Sequence, residues 1–512
     1  MKMQFLPLLA MAALLPFSME AQVKSEWVYL DAQQKLTYKT LEKGDRIMDF
    51  SYAGYMGGGV RIPTPPVKIT LSAVEGDNAA AIQRAVNEIA AMEPVNGFRG
   101  TLLLQPGVYN CDNTIVINTS GIVIRGSGSG ETGTVLKMTG EPHVCFSVQG
   151  RVNLQKAGKP AMITDAYVPS GSNSFQLSDV SGLAAGDLIQ ISRPVTPAWV
   201  KFMGMDSLVR DGKKQTWITG EINVERAIKK IEGNKVILEL PLTDNYDAAY
   251  LGTPGVSVVK VVTSGEISQV GLELMRIVSP AQSGTINEKA HKAFNIRGAA
   301  DAWARNIDVY NTINSISVSD AKRVTLSGIN IYHETPTKGA AKPADLNGSG
   351  SQILFNQCNI QGDNVFYFAT GAKVSGPIVL LNCTFLGNGW IQPHQRWATG
   401  VLVDECNVPD GGIDFMNRGI MGSGHGWSIG WAVAWNCKAK TYLNQQPPGA
   451  ANWVIGSLGE KTKRPIPFET MDKPALPEGY YDAHNTPVAP ASLYLEQLSQ
   501  RLGPEALVNI GY

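Results

Sequence analysis

The 512-residue chain contains few charged residues and no excess of either sign: 17% of its residues are charged, 44 of them basic and 44 acidic. No run of basic residues occurs along it. This balance argues against a nucleic-acid ligand and against electrostatic attachment to a membrane. The apolar run from Phe5 to Phe17 is too short to cross a bilayer, and no later segment is apolar for long enough. We therefore expect neither a nucleic-acid partner nor a membrane span.

The same apolar run follows Met1-Lys2 and precedes a short polar segment ending in Ala21 and Gln22. This order is typical of a secretory signal peptide, with cleavage after Ala21. No cysteine follows the cleavage point, which argues against a lipid anchor. We expect residues 1–21 to be removed and the mature protein to be secreted or periplasmic.

Cysteine is scarce, with six residues in the chain, and none has the C-x-x-C spacing of a zinc site. Disulfides are the usual expectation in an exported protein. Four of the six, however, end a repeated pattern of an apolar strand followed by one polar residue and cysteine. The four segments are Ile353–Cys358, Ile378–Cys383, Val401–Cys406 and Ala432–Cys437. We expect a file of buried thiols that act as small apolar side chains, with a disulfide between adjacent coils as the alternative.

The four cysteines lie 25, 23 and 31 residues apart. A strand that recurs at a period of 20 to 50 residues indicates a solenoid, in which each coil buries its apolar side on its neighbours. Short β-branched strands separated by glycine and asparagine favour a right-handed parallel β-helix. Equivalent positions of successive coils then stack at about 4.8 Å.

The N-terminal part adds a capping element and the first coils. Residues 77–92 form an amphipathic pattern, which predicts a helix that covers the open end of the solenoid. Thr101–Tyr109 and Ile122–Gly126 then read as short strands with turns. These segments resemble the N-terminal coils of the pectate-lyase superfamily, in its rhamnogalacturonase- and epimerase-like branch. The resemblance implies an all-β parallel β-helix. It does not imply one activity, because lyases, hydrolases, epimerases and phage tailspikes share the scaffold.

Breaks in the coil pattern divide the chain further. We expect an N-terminal cap and first coils over 22–150, an inserted small antiparallel β domain over 151–255, main coils over 256–440, and a C-terminal strap with a short helix over 441–512. Trp199 and Trp217 lie in the insert. They either face a glycan or pack the insert, and packing is favoured.

Two histidines mark the candidate site. His394 lies twelve residues before Cys406, and His425 lies twelve before Cys437, so a regular coil places the two imidazoles on neighbouring coils at one point. Lys373, Arg396 and Trp427 each lie ten residues before a cysteine and are expected to form a parallel file. Trp397, Asn417 and Arg418 lie in the same two segments and are further candidates for substrate binding.

This combination suits an anionic sugar. Arg396, with Lys373 or Arg418, would neutralise a uronate carboxylate, which lowers the pKa of the proton on the adjacent carbon. His394 or His425 would then remove that proton as a base. Loss of the group at C4 completes a β-elimination. A purely structural role for these histidines and arginines is the competing interpretation.

Carboxylates give an alternative. Asp404, Glu405 and Asp414 lie near the third cysteine and would serve a glycoside hydrolase, which needs two carboxyl groups about 5 to 9 Å apart. A non-catalytic glycan-binding solenoid is the other alternative. We predict no cofactor, and the sequence does not signal a calcium site, since no cluster of acidic residues occurs. The expected partner is a polysaccharide, and the expected state is a monomer.

Overall fold

The structure is a computed structural model that describes residues 23–282, 286, 288–469 and 472–512. The predicted signal peptide, residues 1–21, lies outside the described residues. Twenty-six strands join into one sheet in which every pairing is parallel, so the chain winds coil upon coil. The predicted parallel β-helix is confirmed.

The coils have three faces. The first face is formed by Val67–Leu71, Gly100–Leu104, Ile122–Arg125, Ile267–Ser268, Gly271–Val278, Ala299–Tyr310, Ile316–Tyr332, Ala344–Asn356, Ser375–Leu381, Ala398–Asp404, Ile429–Gly430, Val433–Trp435, Trp453–Ile455 and Tyr480–Asp482. Several of these strands are long enough to continue around a corner onto the next face.

The second face is formed by Gly107–Cys111, Thr134–Met138, Asn359–Gln361, Thr384–Leu386, Asn407–Phe415, Lys438–Asn444 and Leu458–Thr462. The last three continue onto the third face, where they follow Ile115–Ile117, Val144–Gln149, Lys292–Arg297, Phe366–Ala369 and Trp390–Ile391. Inward side chains from all three faces form one apolar core that runs along the solenoid.

The repeated cysteine pattern has a geometric cause. The polar residues before the four cysteines have positive φ, at 52° for Gln357, 49° for Asn382, 51° for Glu405 and 47° for Asn436. Each of these residues adopts the left-handed backbone conformation and so turns the chain at the corner of the coil. Unbranched polar side chains tolerate this conformation better than β-branched ones. The following cysteine then points into the core. All six cysteines are free and buried, so the expected thiol file is confirmed.

The insert is a six-stranded antiparallel sheet. Its strands, in spatial order, are Asn153–Met162, Ser257–Ser264, Leu188–Pro194, Glu221–Glu232, Lys235–Leu238 and Ser174–Gln176. The sequence placed the return to the coils at residue 256. The coils instead resume at Ile267, because Ser257–Ser264 pairs with the first and third strands of the insert. Two short helices, Pro197–Phe202 and Ala248–Leu251, and the strand pairs Tyr167–Val168 with Tyr246–Asp247 and Val209–Arg210 with Lys213–Lys214 complete it.

Helices cover parts of the solenoid. The N-terminal helix Ala79–Ala90 buries Ile82, Val86 and Ile89 against the first coil. At the other terminus Leu493–Leu502 and Glu505–Asn509 pack on the first face. The coils continue to Tyr480–Asp482 rather than ending near residue 440 as expected, because the apolar strand Trp453–Ile455 extends the first face.

The N-terminal lead-in segment pairs with a strand near the C-terminus. Val23–Lys24 pairs with Val488–Ala489, and Val28–Leu30 pairs with Leu36–Tyr38. A turn of 3-10 helix at Tyr55–Gly57 follows. No helix within the described residues is long and apolar enough to cross a membrane.

Candidate functional site

The coil register brings the two predicted histidines together. The ring centroids of His394 and His425 lie 5.0 Å apart with their planes 63° from parallel. The backbone N–H of Trp397 donates to the Trp427 carbonyl at 2.9 Å, which ties the two coils together beside the imidazoles. His394 is half-buried, and His425 is buried with 8% of its surface exposed. No described residue hydrogen-bonds the Nδ1 atom of either ring.

His425 and Arg418 are held by one loop, residues 417–427. The Arg418 N–H donates to the Gly426 carbonyl at 2.7 Å, and the Gly426 N–H donates to the Gly419 carbonyl at 2.9 Å. Gly422 has a φ of +59°, and a Cβ there would lie 2.2 Å from Nε2 of His425. Glycine is therefore required at this turn both by conformation and by the position of the imidazole.

Arg418 completes the group. Its guanidinium lies 5.4 Å from the ring centroid of Phe366, and that ring lies 5.0 Å from His394. Arg418 is 4% exposed, yet its Nε and Nη1 find no hydrogen-bond partner among the described residues. We call Phe366, His394, Arg418 and His425 the histidine–arginine cluster. Its four unpartnered nitrogens are unusual, because buried polar atoms in folded proteins are nearly always hydrogen-bonded.

Burial and positive charge keep both imidazoles neutral. Burial, then Arg418 and His425, lowers the pKa of His394 to about 2. Burial, then Arg418 and Arg396, lowers the pKa of His425 to about 4. Burial also lowers the pKa of Arg418 to about 10, which leaves it charged at neutral pH. The cluster is a buried cation beside two neutral bases.

Two further charged residues lie near the cluster: Lys342, which was not foreseen, and Asp414, which the sequence suggested as a hydrolase carboxylate. Lys342 is close enough to Arg418 that burial and that cation lower its pKa. Asp414 is buried, accepts a hydrogen bond of 2.7 Å from Nε2 of Gln392, and has a pKa raised by burial to about 6. Phe366 was missed because its place follows from the pairing of coils on the third face, where it lies opposite Trp390, one coil away from the histidine segment. Cations therefore outnumber carboxylates around the cluster.

Arg396 and Lys373 lie on neighbouring coils but one residue out of the expected register. Ser375 pairs with Thr399, and a bulge between Ser375 and Ile378 shifts the pairing, so Lys373 lies level with Trp397 and its N–H donates to the Arg396 carbonyl at 2.9 Å. The Lys373 ammonium donates to the carbonyls of Thr219 and Glu221 in the insert, at 2.5 and 2.9 Å. Arg396 donates to the carbonyl and hydroxyl of Ser423. Both side chains line a cavity of about 610 Å³ between the insert and the coils. They hold loops in place rather than facing the imidazoles directly.

The predicted sugar-facing tryptophans are buried. Trp397 is 2% exposed and packs edge-on against Trp199 and Trp217, with centroids 5.6 and 6.0 Å away. Trp427 donates from Nε1 to the Met203 carbonyl at 3.1 Å, and Trp217 donates to the Trp427 carbonyl at 3.2 Å. The insert covers these rings, so a broad indole face is not presented to solvent. Trp199 and Trp217 stack at 5.0 Å and pack the insert, as favoured above.

Two of the predicted polar residues, Asp404 and Asn417, stabilise the structure around the site. Asp404 is fully buried and accepts hydrogen bonds from the Ser492 hydroxyl and the N–H groups of Leu493 and Tyr494, at 2.8, 3.3 and 2.7 Å. It holds the start of the C-terminal helix, which corrects its suggested role as a carboxylate of the site. Asn417 accepts from the Gly419 N–H at 2.8 Å and closes the 417–427 loop.

Glu405 lies at the corner of the coil beside Asp404, with a positive φ and a pKa raised by burial. It therefore belongs to the first face, with the cysteine corners, and not to the third. In the described part of the chain, no three His, Cys, Asp or Glu side chains gather as metal ligands would.

Comparison with known proteins assigns neither a family nor a function to the chain. No protein-family model matches the chain, and no curated protein shows significant sequence similarity to it. Among solved structures, the tailspike protein gp49 from Pseudomonas phage LKA1 is 14% identical, with 75% of this chain and 69% of that chain covered and a TM-score of 0.41.

Two further structures are similar at the same level. The gp54 tailspike of Acinetobacter baumannii bacteriophage AP22, in complex with capsular saccharide, is 12% identical over 79% of this chain and 71% of that chain, with a TM-score of 0.29. The A-module of a mannuronan C-5 epimerase from Azotobacter vinelandii is 10% identical over 85% and 98%, with a TM-score of 0.27. At these identities and scores, the similarities assign neither an activity nor a substrate to this chain.

Proposed function

We propose that the protein is a secreted or periplasmic carbohydrate-active enzyme that cleaves a uronate-containing polysaccharide by β-elimination at the histidine–arginine cluster. The observation that carries the proposal is the buried Arg418, whose Nε and Nη1 have no hydrogen-bond partner among the described residues, beside two neutral imidazoles. A buried donor without a partner costs roughly 1–3 kcal/mol, and a bound carboxylate would recover much of it.

The charges around the cluster favour an anion. Arg418, Arg396 and Lys342 all act on the cluster as cations, whereas Asp414 is the carboxylate that acts on Arg418. With a pKa raised to about 6, Asp414 offsets only part of this positive charge. A uronate carboxylate could accept a charge-assisted hydrogen bond from either free nitrogen of Arg418, Nε or Nη1.

Carboxylate binding also prepares the base. Pairing the carboxylate with Arg418 cancels the positive charge that depresses the imidazole pKa values, so each imidazole becomes a stronger base when substrate is present. The same pairing lowers the pKa of the C5 proton of the uronate. His425, whose pKa lies nearer to neutrality, is the stronger base of the two in the free protein.

The reaction then follows from the chemistry of the sugar. The C5 proton passes to an imidazole nitrogen, and the electron pair of the C5–H bond forms a double bond between C4 and C5. The C4–O bond breaks, and the leaving oxygen takes a proton from solvent. The new chain end is therefore an unsaturated uronate, lighter by one water than the end that hydrolysis would give.

The test is a screen of uronate polysaccharides, such as polygalacturonate and alginate, with mass analysis of the products. We expect unsaturated products, and a loss of about 100-fold or more in kcat for His425→Ala or His394→Ala, whichever acts as the base. Arg418→Gln should raise KM as well as lower kcat, because it also removes the carboxylate partner.

A matched control is available in the early coils. His143 and His291 form a second edge-to-face imidazole pair with centroids 4.9 Å apart, and His143 is half-buried like His394. His143→Ala should leave turnover unchanged. Saturated products would show that the enzyme cleaves its substrate by hydrolysis and not by elimination. Retention of a glycan with no product would favour a non-catalytic glycan-binding solenoid. Full activity in both His394→Ala and His425→Ala would contradict the proposed roles.

A further inference from the structure

A second pocket lies where the lead-in segment, the insert and the last coils meet. Its volume is about 320 Å³, at the lower end of the range of about 300–1,000 Å³ typical of small-molecule sites. Three chain segments far apart in sequence supply its walls: Leu41–Asp45 from the lead-in, the insert, and the coil residues around Pro448–Ala450. We call this the tryptophan pocket.

Aromatic side chains dominate its lining. They come from the insert and from the coils: Tyr167, Trp199, Phe202, Tyr250, Trp397, Trp431 and Tyr480. The three tryptophans are 2–5% exposed and form the floor, whereas Phe202 and Tyr250 are half-buried and stack on each other with centroids 4.0 Å apart. A wall of aromatic rings with a few polar groups is the usual composition of a small-molecule site. The C–H faces of a pyranose ring suit such a wall.

Arg193 supplies unused donors. Its side chain is 2% exposed and lines the pocket, with the guanidinium 4.0 Å from the ring centroid of Trp199. No described residue hydrogen-bonds its Nε or Nη1. The nearest carboxylate, Asp244, lies 4.0 Å away and is occupied: its two oxygens accept from Nε1 of Trp397 at 2.8 Å and of Trp431 at 3.0 Å. These two nitrogens of Arg193 could therefore donate hydrogen bonds to a ligand oxygen.

The charges of the pocket differ from those of the histidine–arginine cluster. Carboxylates of Glu42, Asp45 and Asp247 line it, against the two cations Lys43 and Arg193. Lys43 is already paired with Asp247 at 2.8 Å, and Asp244 balances Arg193 from just outside the lining. A ligand carboxylate would find no excess of positive charge there. Neutral hydroxyl groups can accept from Arg193 and donate to carboxylate oxygens.

We propose that the tryptophan pocket binds one neutral pyranose ring, packed against its aromatic wall beside Tyr250 and hydrogen-bonded through its oxygens to Arg193. If the cluster binds a uronate, as the proposed function requires, the two sites together define a substrate that carries both uronate and neutral sugar units. The pocket itself is independent of the chemistry at the cluster.

Calorimetric titration of the full-length Arg418→Gln variant, in which the cluster has lost its carboxylate partner, tests the pocket directly. The probes are methyl glycosides of glucose, galactose, mannose and rhamnose, with galacturonate and glucuronate as the acidic counterparts. We expect at least one neutral glycoside to bind, and its acidic counterparts to bind at least tenfold more weakly. Binding by none of the neutral glycosides, or equal or tighter binding by the acids, would overturn the proposal.

Two variants locate the binding, each with a matched control. Arg193→Gln should weaken neutral-sugar binding at least tenfold, whereas Arg226→Gln should not. Arg226 is an equally buried arginine of the insert, but its donors are bonded to the carbonyls of Pro241, Glu225 and Gly376. If Arg193→Gln does not fold, Tyr250→Ala replaces it and should cause a similar loss.

The control for Tyr250→Ala is Tyr310→Ala, which disrupts a stacked tyrosine pair on the coils, with Tyr332 4.9 Å away. Unchanged binding in both pocket variants would contradict the assignment. His425→Ala separates the two proposals: it should abolish elimination while sugar binding in the pocket persists. Loss of both together would show that the pocket is not an independent site.

Discussion

Replacing Arg418 by glutamine should raise the pKa values of His394 and His425. The guanidinium lies 5.4 Å from the Phe366 centroid, and the His394 centroid lies 5.0 Å from the same point, so the two groups are at most about 10 Å apart. With an effective dielectric constant of about 20, a unit charge at about 10 Å contributes about 1.7 kcal/mol, or slightly more than one pKa unit. The pKa of His394, held at about 2, should therefore rise by about one unit or more.

The assay is an NMR titration of ring-labelled histidine. The chain has six histidines, and single alanine variants can assign their signals. The signals of His394 and His425 should titrate at higher pH in the Arg418→Gln variant. His291, which lies in the early coils and whose pKa is lowered chiefly by burial, serves as the internal control and should titrate as before. Unchanged titration of both cluster histidines would refute the electrostatic coupling on which the proposed base depends.

Three further predictions concern stability. Asp404→Ala removes the acceptor of three hydrogen bonds and should lower the free energy of unfolding in denaturant by about 2–4 kcal/mol. The folded variant should remain catalytically active. A loss of activity would show that Asp404 takes part in catalysis. The pKa values of His394 and His425 are lowered from 6.5, so the unfolded chain binds protons more readily and stability should fall as pH drops below 6.5. His394→Asn should reduce this acid sensitivity, and an unchanged pH profile would contradict it. The six free, buried thiols should react with a thiol reagent only on unfolding, and rapid reaction in the native state would contradict their burial.

The parallel β-helix could be predicted because its main signal is local and repeated. Four successive coils repeat the apolar strand, the polar corner residue and the inward cysteine, so this stretch of sequence shows how the coils align. That register also predicted the contact of His394 with His425, which the structure has, and a level file of Lys373 and Arg396, which a bulge shifts by one residue.

The surroundings of those residues could not be predicted in the same way. The insert folds over Trp397 and Trp427, and a helix almost ninety residues later binds Asp404. These contacts join segments whose separation leaves no periodic trace in the sequence. Arg193 and Asp244 were missed for the same reason, since they meet Trp397 and Trp431 only through the docking of the insert on the coils.

The central claim is tested most directly by the mass of the products from a uronate polysaccharide, compared between the unaltered protein and His425→Ala, with His394→Ala in parallel. Our account predicts unsaturated fragments, one water lighter than hydrolysis products, which fall at least 100-fold in one of the two variants. Fragments of hydrolytic mass, or unsaturated fragments formed at full rate by both variants, would contradict it.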